Sequence, residues 1–461
     1  MLGKRFDRDF FQKSVLKDGT HACNYLLTCD MDMNPQQGFE YANWKRGYGD
    51  FHLCPDYSTW RVLSWLPSTG IVLCDIMDPH THELLTISKN FPLFFLKKKK
   101  KFRKQVAKAE KMGFVPNMAS ELEYYIFDTP FREARSKKYH DLSSAGFQIC
   151  LLLKLSERDY AEDYHIQQGT RTEWLNAQFR ISPPFFKKKK KKKKVECTKG
   201  EAGIGQHELN IEYSTAVEMA DRHVLYKQCL HEVADLNEVS VTFMAKPYTN
   251  STGSGCHIHC SLFDNANKRN LFQGQESIGK IKGCSPLFKH FLAGWIHYTP
   301  QLFPFFAPTV NSYKRFVSNS WAPTRCAWSY DNRSAGFRVV GSGNSLRIEM
   351  RICGADVNPY LAFAGSLASG LAGIEQELQP PEAADGDIYN VLFFSNIIAS
   401  HLEQVPTKFD VAIAKLRDSK WANDTLGEDV VNHYTHFYQL ENDKYLSHVS
   451  DWERARYFEM I

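Results

Sequence analysis

The chain has 461 residues, of which 43% are apolar, 13% aromatic and 24% charged. This is the usage of a packed globular protein, so disorder as its main character is excluded, and the length corresponds to two or three domains. Twelve cysteines are too few for a disulfide scaffold and none forms a CxxC pair. We therefore expect a reducing, cytoplasmic setting.

The formal net charge of +5 belongs to two lysine runs, Lys97–Lys101 and Lys187–Lys194, since subtracting their 13 charges leaves −8. No aromatic residues interleave with these lysines, so we expect no nucleic-acid partner. The N-terminus reads MLGKRFDRDFF and lacks the apolar centre of a signal peptide. With no stretch of 18 apolar residues, the sequence also predicts no membrane segment.

The predicted elements mix strands and helices along the chain. Residues 60–76 are predicted as two short strands around a Pro-Ser-Thr-Gly turn. Residues 215–236 carry apolar side chains at helical spacing, with Thr215 and Glu218 as a capping box. A later helix is predicted to begin at Asn358–Pro359 and to carry one apolar stripe as far as Leu378.

Three segments break this pattern, near 91–101, 147–156 and 183–194. Two are lysine runs that follow apolar patches, and the third is the apolar string FQICLLLKLS. We interpret them as mistranslated or unspliced sequence, because AAA codons and the pyrimidine-rich ends of introns encode such strings. Solvated surface loops are the alternative, and sequencing the transcript separates the two.

Four predicted strands place ionisable side chains at positions i and i+2, which the pleat puts on one face. The residues that share a face are Glu121 with Glu123, Glu208 with Asn210 and Glu212, His257 with His259, and Arg347 with Glu349 and Arg351. A solvated sheet face explains any one of them. If the four faces converge, the carboxylates repel and several of their pKa values rise, unless divalent cations lie among them. Oxygen donors with one or two imidazoles favour Mg²⁺ or Mn²⁺.

Arginines supply a second signal, since five of them fall within 37 residues. They are Arg315, Arg333, Arg338, Arg347 and Arg351. A guanidinium suits bidentate contact with carboxylate or phosphate, so metals with arginines indicate phosphoryl transfer. No Walker A motif is present. A thiol nucleophile at Cys256 is excluded because its neighbour His257 points to the opposite face of a strand.

At these residues the sequence resembles the glutamine synthetase family, which joins glutamate to an amine at the expense of ATP. The matching strings are SELEYYIFD, KGEAGIGQHELN, TGSGCHIHCSL, NSYKRF, DNRSAGFR and LRIEMRICGADVNPYL. The resemblance implies an α+β fold with a truncated N-terminal β-grasp domain at 1–90 and a catalytic domain at 91–461. In the catalytic domain, helices would back an antiparallel half-barrel. It also implies a homo-oligomer, a dodecamer of two hexameric rings.

The resemblance assigns roles to individual side chains. One metal would be held by Glu123, Glu201 and Glu208, and the other by Glu121, His257 and Glu349. The nucleotide side would comprise His259, Ser261, Arg333, Arg338 and Arg347. The glutamate side would comprise Gly253, Arg315 and Arg351, and the catalytic groups would be Arg315, Arg333 and Arg351. The expected course is phosphorylation of the glutamate γ-carboxylate by ATP, followed by attack of the amine.

Departures from the family pattern bear on the amine. Trp321 occupies the position of a flap glutamate that serves ammonia-using members, and Thr252 replaces an asparagine of the glutamate loop. An indole accepts no proton but offers an apolar or cation-π face, so an organic amine such as a polyamine or ethanolamine is favoured. Two alternatives stay open, namely a true glutamine synthetase that uses ammonia and a relative that has lost catalysis and serves a structural role.

Overall fold

The computed structural model describes residues 3–63, 65–82, 99–144, 195–389 and 403–461. The strands are β1 Thr20–Cys23, β2 Asp50–Leu63, β3 Thr69–Met77, β4 Val115–Phe127, β5 Val195–Gly200, β6 Gln206–Ile211, β7 Ser214–Thr215, β8 Ser240–Thr242, β9 Cys256–Phe263, β10 Gln273–Ile278, β11 Ile281–Cys284, β12 Trp328–Tyr330, β13 Phe337–Val340 and β14 Arg347–Met350.

The α-helices are Arg8–Phe10, Leu16–Asp18, Lys99–Lys111, Phe131–Ser136, Ala216–Leu236, Pro286–Tyr298, Phe303–Phe306, Val310–Tyr313, Pro359–Glu375, Phe409–Asp418, Lys420–Leu426, Glu428–Leu446 and Asp451–Tyr457. A π-helical segment at Phe11–Val15 joins the first two of these helices. Helix and strand are therefore mixed throughout the described chain, as predicted.

The N-terminal part is a three-stranded antiparallel sheet in the order β1-β2-β3. Its β2–β3 hairpin confirms the strand–turn–strand prediction for residues 60–76, although both strands extend beyond the predicted range. The indole Nε1 of Trp65 donates to Glu232 Oε2 at 2.6 Å, which ties the end of the hairpin to the Ala216–Leu236 helix. This helix in turn packs on the second sheet.

The second sheet has nine strands, and its main path runs β12-β13-β14-β9-β4-β6-β5. Strands β7 and β8 pair with the two ends of β4. Adjacent strands are antiparallel except β12 and β13, which are parallel, so the expectation of a purely antiparallel sheet is wrong at that edge. The long strand β4 lies at the centre and brings β9 and β6 to its two sides.

The helix at Ala216–Leu236 confirms the periodicity of that segment, but its predicted capping box is wrong. Thr215 is the N-cap residue and its side chain makes no capping hydrogen bond. Glu218 instead accepts from Ser214 Oγ at 2.8 Å and from Arg222 Nη2 at 3.0 Å. These contacts keep the carboxylate at the positive end of the helix dipole, where it is stabilising.

The helix at Pro359–Glu375 begins where predicted, and the Asn358 side chain accepts from the Tyr360 amide at its start. All of its residues from Pro359 to Gly373 are buried, so the prediction of a single apolar stripe underestimated how much of the helix surface is buried. Its small residues permit this packing. A Cβ on Gly370 would lie 2.2 Å from the Phe291 ring, and one on Gly373 would lie 2.2 Å from the His290 carbonyl.

The anomalous segments are described only in part. Lys99–Lys101 begin the helix that runs to Lys111, while residues 147–156 and 183–194 lie outside the described ranges. The division at residue 90 also falls outside them and stays a prediction. Within the described ranges, no helix combines the length and apolar character needed to cross a membrane.

Candidate active site

Three rows of side chains cross the nine-stranded sheet on one face, because strand partners in register project to the same side. The first row is Lys199 on β5, Glu208 on β6 and Glu123 on β4. The second is Asn210 on β6, Glu121 on β4 and His257 on β9. The third is His259 on β9, Glu349 on β14 and Arg338 on β13. The four polar strand faces of the sequence therefore do converge.

The first group of donors is Glu123, Glu201 and Glu208, each with a ligand atom within 4.8 Å of the others. Burial, followed by the charges of Glu121 and Glu123, raises the pKa of Glu208. For Glu201, burial raises the pKa, but hydrogen bonds from Lys199 and from Glu208 outweigh burial and lower it. The pKa values of these two neighbouring carboxyl groups are therefore shifted in opposite directions.

The second group of donors is Glu121, His259 and Glu349, again within 4.8 Å of one another. Here the structure brings in His259, whereas the resemblance implied His257. The His257 Nδ1 atom also lies close, at 3.4 Å from Glu349 Oε1 and 3.6 Å from Glu121 Oε1. Which imidazole binds a metal stays a prediction.

Glu349 is fully buried and is neutralised by two arginines. Arg351 Nη1 donates to its Oε1 at 2.6 Å and Arg338 Nη1 to its Oε2 at 2.8 Å. Burial raises the pKa of Glu349, but the charges of His257, His259 and Arg351 outweigh it and hold the pKa at about 2. Asp331 accepts two further bonds from Arg338 and fixes that guanidinium.

His259 lies between Arg347 and Glu121. Arg347 Nε lies 3.3 Å from its Nδ1. Its Nε2 lies 3.0 Å from Glu121 Oε2. Burial raises the pKa of Glu121, but the hydrogen bonds of His257 and His259 lower it further than burial raises it. The expected rise in carboxylate pKa therefore occurs at Glu208 but not at Glu121 or Glu349.

Arg315 is buried beneath the loop that carries Gly253. Its Nη1 donates to the Ile352 carbonyl at 2.7 Å and its Nη2 to the Arg351 carbonyl at 3.0 Å. A Cβ on Gly253 would lie 2.7 Å from Arg315 Cγ and from the Ala245 carbonyl oxygen, so the close approach requires glycine. The predicted glutamate-side residues thus meet at one place, with Arg315 and Arg351 joined through a backbone carbonyl.

Asp356 fixes the turn that leads into Arg315. Its Oδ2 accepts from Thr309 Oγ1 at 2.8 Å and from Ser312 Oγ at 2.6 Å, and those two residues form the capping box of the Val310–Tyr313 helix. Lys227 Nζ donates to the adjacent Ala355 carbonyl at 2.6 Å. The carboxylate therefore holds in place the turn that precedes Arg315.

Gln206 links the first donor group to the glycine loops. Its Nε2 donates to Glu123 Oε2 at 3.3 Å and to the Gly253 carbonyl at 3.0 Å. Its Oε1 accepts from Thr252 Oγ1 at 2.7 Å and from the Gly203 amide at 3.0 Å. The hydroxyl of Thr252 is therefore directed into this network.

Three predicted residues are only loosely associated with the rows. Arg333 has an exposed side chain, and its carbonyl accepts from Arg351 Nε at 3.0 Å. Ser261 is half-buried on β9, opposite Asn117 of β4. Trp321 is 60% exposed, with a left-handed backbone at φ 64°. Their predicted roles stay predictions.

Cys256 is fully buried, and burial raises its pKa to about 12. A thiol that holds its proton so firmly is a poor nucleophile. The exclusion of thiol chemistry at Cys256 and His257 is consistent with this environment.

Sequence reasoning missed Lys199, Gln206 and Asp356. Lys199 and Gln206 each precede a predicted ligand by two residues, so the period-two rule applied earlier in those segments would have found them. Asp356 gave no such signal, because its partners lie 44 and 47 positions away. Contacts at that separation are set by packing and carry no local pattern.

The model of the glutamine synthetase catalytic domain matches residues 98–457. γ-Glutamylethanolamide synthetase GlnA4 of Streptomyces coelicolor is 36% identical over all of this chain and 90% of its own length. Glutamate–isopropylamine ligase of a Pseudomonas species is 31% identical over all of this chain and 92% of its own length.

A solved structure titled as a GmaS/ADP complex matches with a TM-score of 0.76 at 23% identity, and the match covers 97% of this chain and 91% of the other. This likeness shows a shared fold. Together with the match to the catalytic-domain model and the full-length relatives, it leads to one conclusion: the chain belongs to the glutamine synthetase family of ATP-dependent ligases.

Proposed function

We propose that this protein joins the γ-carboxylate of glutamate to an organic amine, with ATP as the energy source and γ-glutamyl phosphate as the intermediate. One observation carries the proposal. Two groups of metal-competent donors lie at one face of the nine-stranded sheet, five of the six on its strands, and arginines contact the second group directly. The chemistry of phosphoryl transfer is mainly the positioning and neutralisation of charged oxygens, which such a surface provides.

The donor groups fit hard divalent cations, since five of their six members are carboxylates and the sixth is an imidazole. We assign Glu123, Glu201 and Glu208 to one ion, and Glu121 and Glu349 with a histidine to another. Bound there, Mg²⁺ or Mn²⁺ would neutralise phosphate oxygens and polarise the group under attack. His257 and His259 both contact Glu121, so each is placed to complete the second set.

The arginines then divide between the two substrates. Arg338 and Arg347 lie at the Glu349–His259 row and would contact the oxygens of the transferred phosphate. We assign Arg333 to the phosphates as well, and Ser261 to the nucleotide side. Arg315 and Arg351 would bind the α-carboxylate of glutamate beside Gly253. Each guanidinium has five N–H donors, so both retain free donors after their observed contacts.

The reaction conserves atoms and charge in two steps. A γ-carboxylate oxygen of glutamate attacks the γ-phosphorus of ATP, the bond to the bridging oxygen breaks, and ADP leaves. The neutral amine nitrogen then attacks the acyl carbon, inorganic phosphate leaves, and the nitrogen loses one proton. Exclusion of water protects the acyl phosphate from hydrolysis between the steps.

Three observations support an organic amine as the acceptor. Two relatives that match the whole chain are named for ethanolamide and isopropylamine ligation. Trp321 supplies an indole where the ammonia-using members have a carboxylate. Thr252 replaces an asparagine of the glutamate loop, and its hydroxyl donates to Gln206 Oε1 at 2.7 Å.

Product chromatography tests this proposal. The purified full chain is given ATP, glutamate and Mn²⁺ with ammonia, ethanolamine, isopropylamine or a polyamine in turn. We expect one γ-glutamyl amide to form faster than glutamine. Glutamine as the fastest product would establish the ammonia alternative, and the absence of ATP turnover with every amine would establish the structural one.

Lys280→Met provides a matched control for variants of the site. This exposed lysine lies in the turn between β10 and β11 and forms an ion pair with Asp385. It has no role in the proposed chemistry. The variant should retain full activity. Arg338→Lys should lose at least about tenfold in kcat, because one ammonium cannot reproduce the two hydrogen bonds of the guanidinium to Asp331 Oδ1 together with its bond to Glu349 Oε2.

We also propose the assembly and setting that the resemblance implies: a dodecamer of two hexameric rings, an N-terminal domain at 1–90, a catalytic domain at 91–461 and a cytoplasmic location. Ten of the cysteines in the described ranges are free thiols, which supports a reducing environment. Light scattering measures the assembly.

A further inference from the structure

Lys199 places a cation inside the first donor group. It lies on β5 directly opposite Glu208, so its side chain projects to the carboxylate face of the sheet. Its Nζ atom lies 2.5 Å from Glu201 Oε1 and 3.3 Å from Glu208 Oε2. One ammonium thus contacts two of the three carboxylates that we assign to a divalent ion.

The cations at the second donor group are held differently. Arg351 is bonded to the Arg333 carbonyl as well as to Glu349, and its side chain is 4% exposed. Arg338 is bonded to Asp331 as well as to Glu349, and its side chain is 16% exposed. The Lys199 side chain is 45% exposed and has four rotatable bonds. It can leave the carboxylates for solvent without opening the sheet, whereas the two arginines cannot.

We propose that Lys199 is an exchangeable counter-cation of the Glu123–Glu201–Glu208 site, displaced when a divalent ion binds there, and that it thereby sets the affinity of that site. The inference rests on the proposed function only through the assignment of these three carboxylates to a metal. Without the metal, the ammonium reduces repulsion among the carboxylates. With the metal present, it repels a double positive charge at short range, and that repulsion drives it outward.

Two consequences follow from this exchange. Binding of the divalent ion must break both contacts of the ammonium, so the site binds more weakly than its three carboxylates alone would. The affinity must also respond to the charge at position 199 and not to its packing, because much of the side chain is already in solvent. A neutral residue of similar length should therefore tighten the site, and arginine should not.

Mn²⁺ titration followed by electron spin resonance tests the proposal on the full chain without substrates. The variants are Lys199→Met, Lys199→Gln and Lys199→Arg, with Lys280→Met as the control for the loss of one exposed, paired lysine. We expect two classes of site in the wild type. One class should tighten by about tenfold in the Met and Gln variants, as expected for loss of a repulsive charge in partly solvated surroundings. The Arg variant and the control should match the wild type.

Thermal unfolding gives a second readout. Without metal, the Met and Gln variants should melt at lower temperature than the wild type, and Mn²⁺ should raise their melting temperature by more, since tighter binding stabilises the folded state more. Either neutral variant suffices if the other fails to fold. Unchanged or weaker Mn²⁺ binding in a folded neutral variant overturns the role of Lys199 and leaves the proposed function intact. A wild type that binds no Mn²⁺ overturns both.

Discussion

The sheet face that carries the carboxylates has a Glu349 end and a Glu208 end, and buried charge is stabilised differently at the two. At the Glu349 end, Arg338 and Arg351 bind both oxygens of the carboxylate, and its pKa is held at about 2. At the Glu208 end, carboxylates face one another, and the pKa of Glu208 is raised by burial and by its neighbours. One end is neutralised by fixed groups of the protein, and the other by the partly exposed Lys199 ammonium or by an added cation. The same strand chemistry therefore produces a rigid site and an exchangeable one.

Neutralising one carboxylate at each end should give the largest difference between the two ends. Glu349→Gln leaves two guanidinium groups without their charged partner and should cost about 3–5 kcal/mol of stability. Glu208→Gln removes repulsion and should leave the metal-free protein as stable as the wild type or more so. Chemical denaturation without metal measures both. An equal loss in the two variants would contradict the comparison.

The pH dependence of stability should also differ in sign between the ends. Because the pKa of Glu349 falls from 4.5 to about 2 on folding, its contribution of about 3 kcal/mol is present above pH 4.5 and is lost as the pH falls toward 2. For Glu208 the folded pKa is raised above 4.5, so its contribution is present below pH 4.5 and is lost as the pH rises through the folded pKa.

Denaturation across pH measures these two contributions. The deficit of Glu349→Gln relative to wild type should shrink in acid. The stability of Glu208→Gln relative to wild type should grow as the pH rises above 4.5. Parallel pH profiles for the two variants would show that both carboxylates experience the same field.

The fixed end can be examined further through Asp356, which holds the turn before Arg315. Asp356→Ala removes the acceptor of two hydroxyl bonds and should raise KM for glutamate about tenfold, with a smaller change in kcat. Asp356→Asn keeps one acceptor and should restore part of the affinity. A fall in kcat with KM unchanged would place Asp356 outside glutamate binding.

The smallest effect is expected at Trp321, which is exposed. Trp321→Glu supplies the carboxylate of ammonia-using members and should shift the ratio of kcat/KM toward ammonia by about tenfold or less, as a single contact change permits. The product assay with ammonia and ethanolamine measures this ratio. An unchanged ratio would remove Trp321 from substrate choice.

Much of the site was accessible from sequence because strand periodicity is local. Glu121, Glu208, His257 and Glu349 were predicted to converge, and the sheet brings them together through register pairs. The capping box at Thr215 failed because Glu218 found stronger partners in Ser214 and Arg222. A sequence motif shows which hydrogen bonds a segment can form, and the surrounding structure determines which of them form.

The sequence by itself determined which side chains share a strand face, where the two main helices begin and to which family the chain belongs. Only the tertiary structure decided which carboxylates are neutralised, because the pKa of a buried group depends on charges brought close from distant segments. Arg338 and Glu349 come from different strands, as do Lys199 and Glu208. Spacing along one strand is fixed by the pleat, whereas the pairing of charges across strands is fixed only when the sheet assembles.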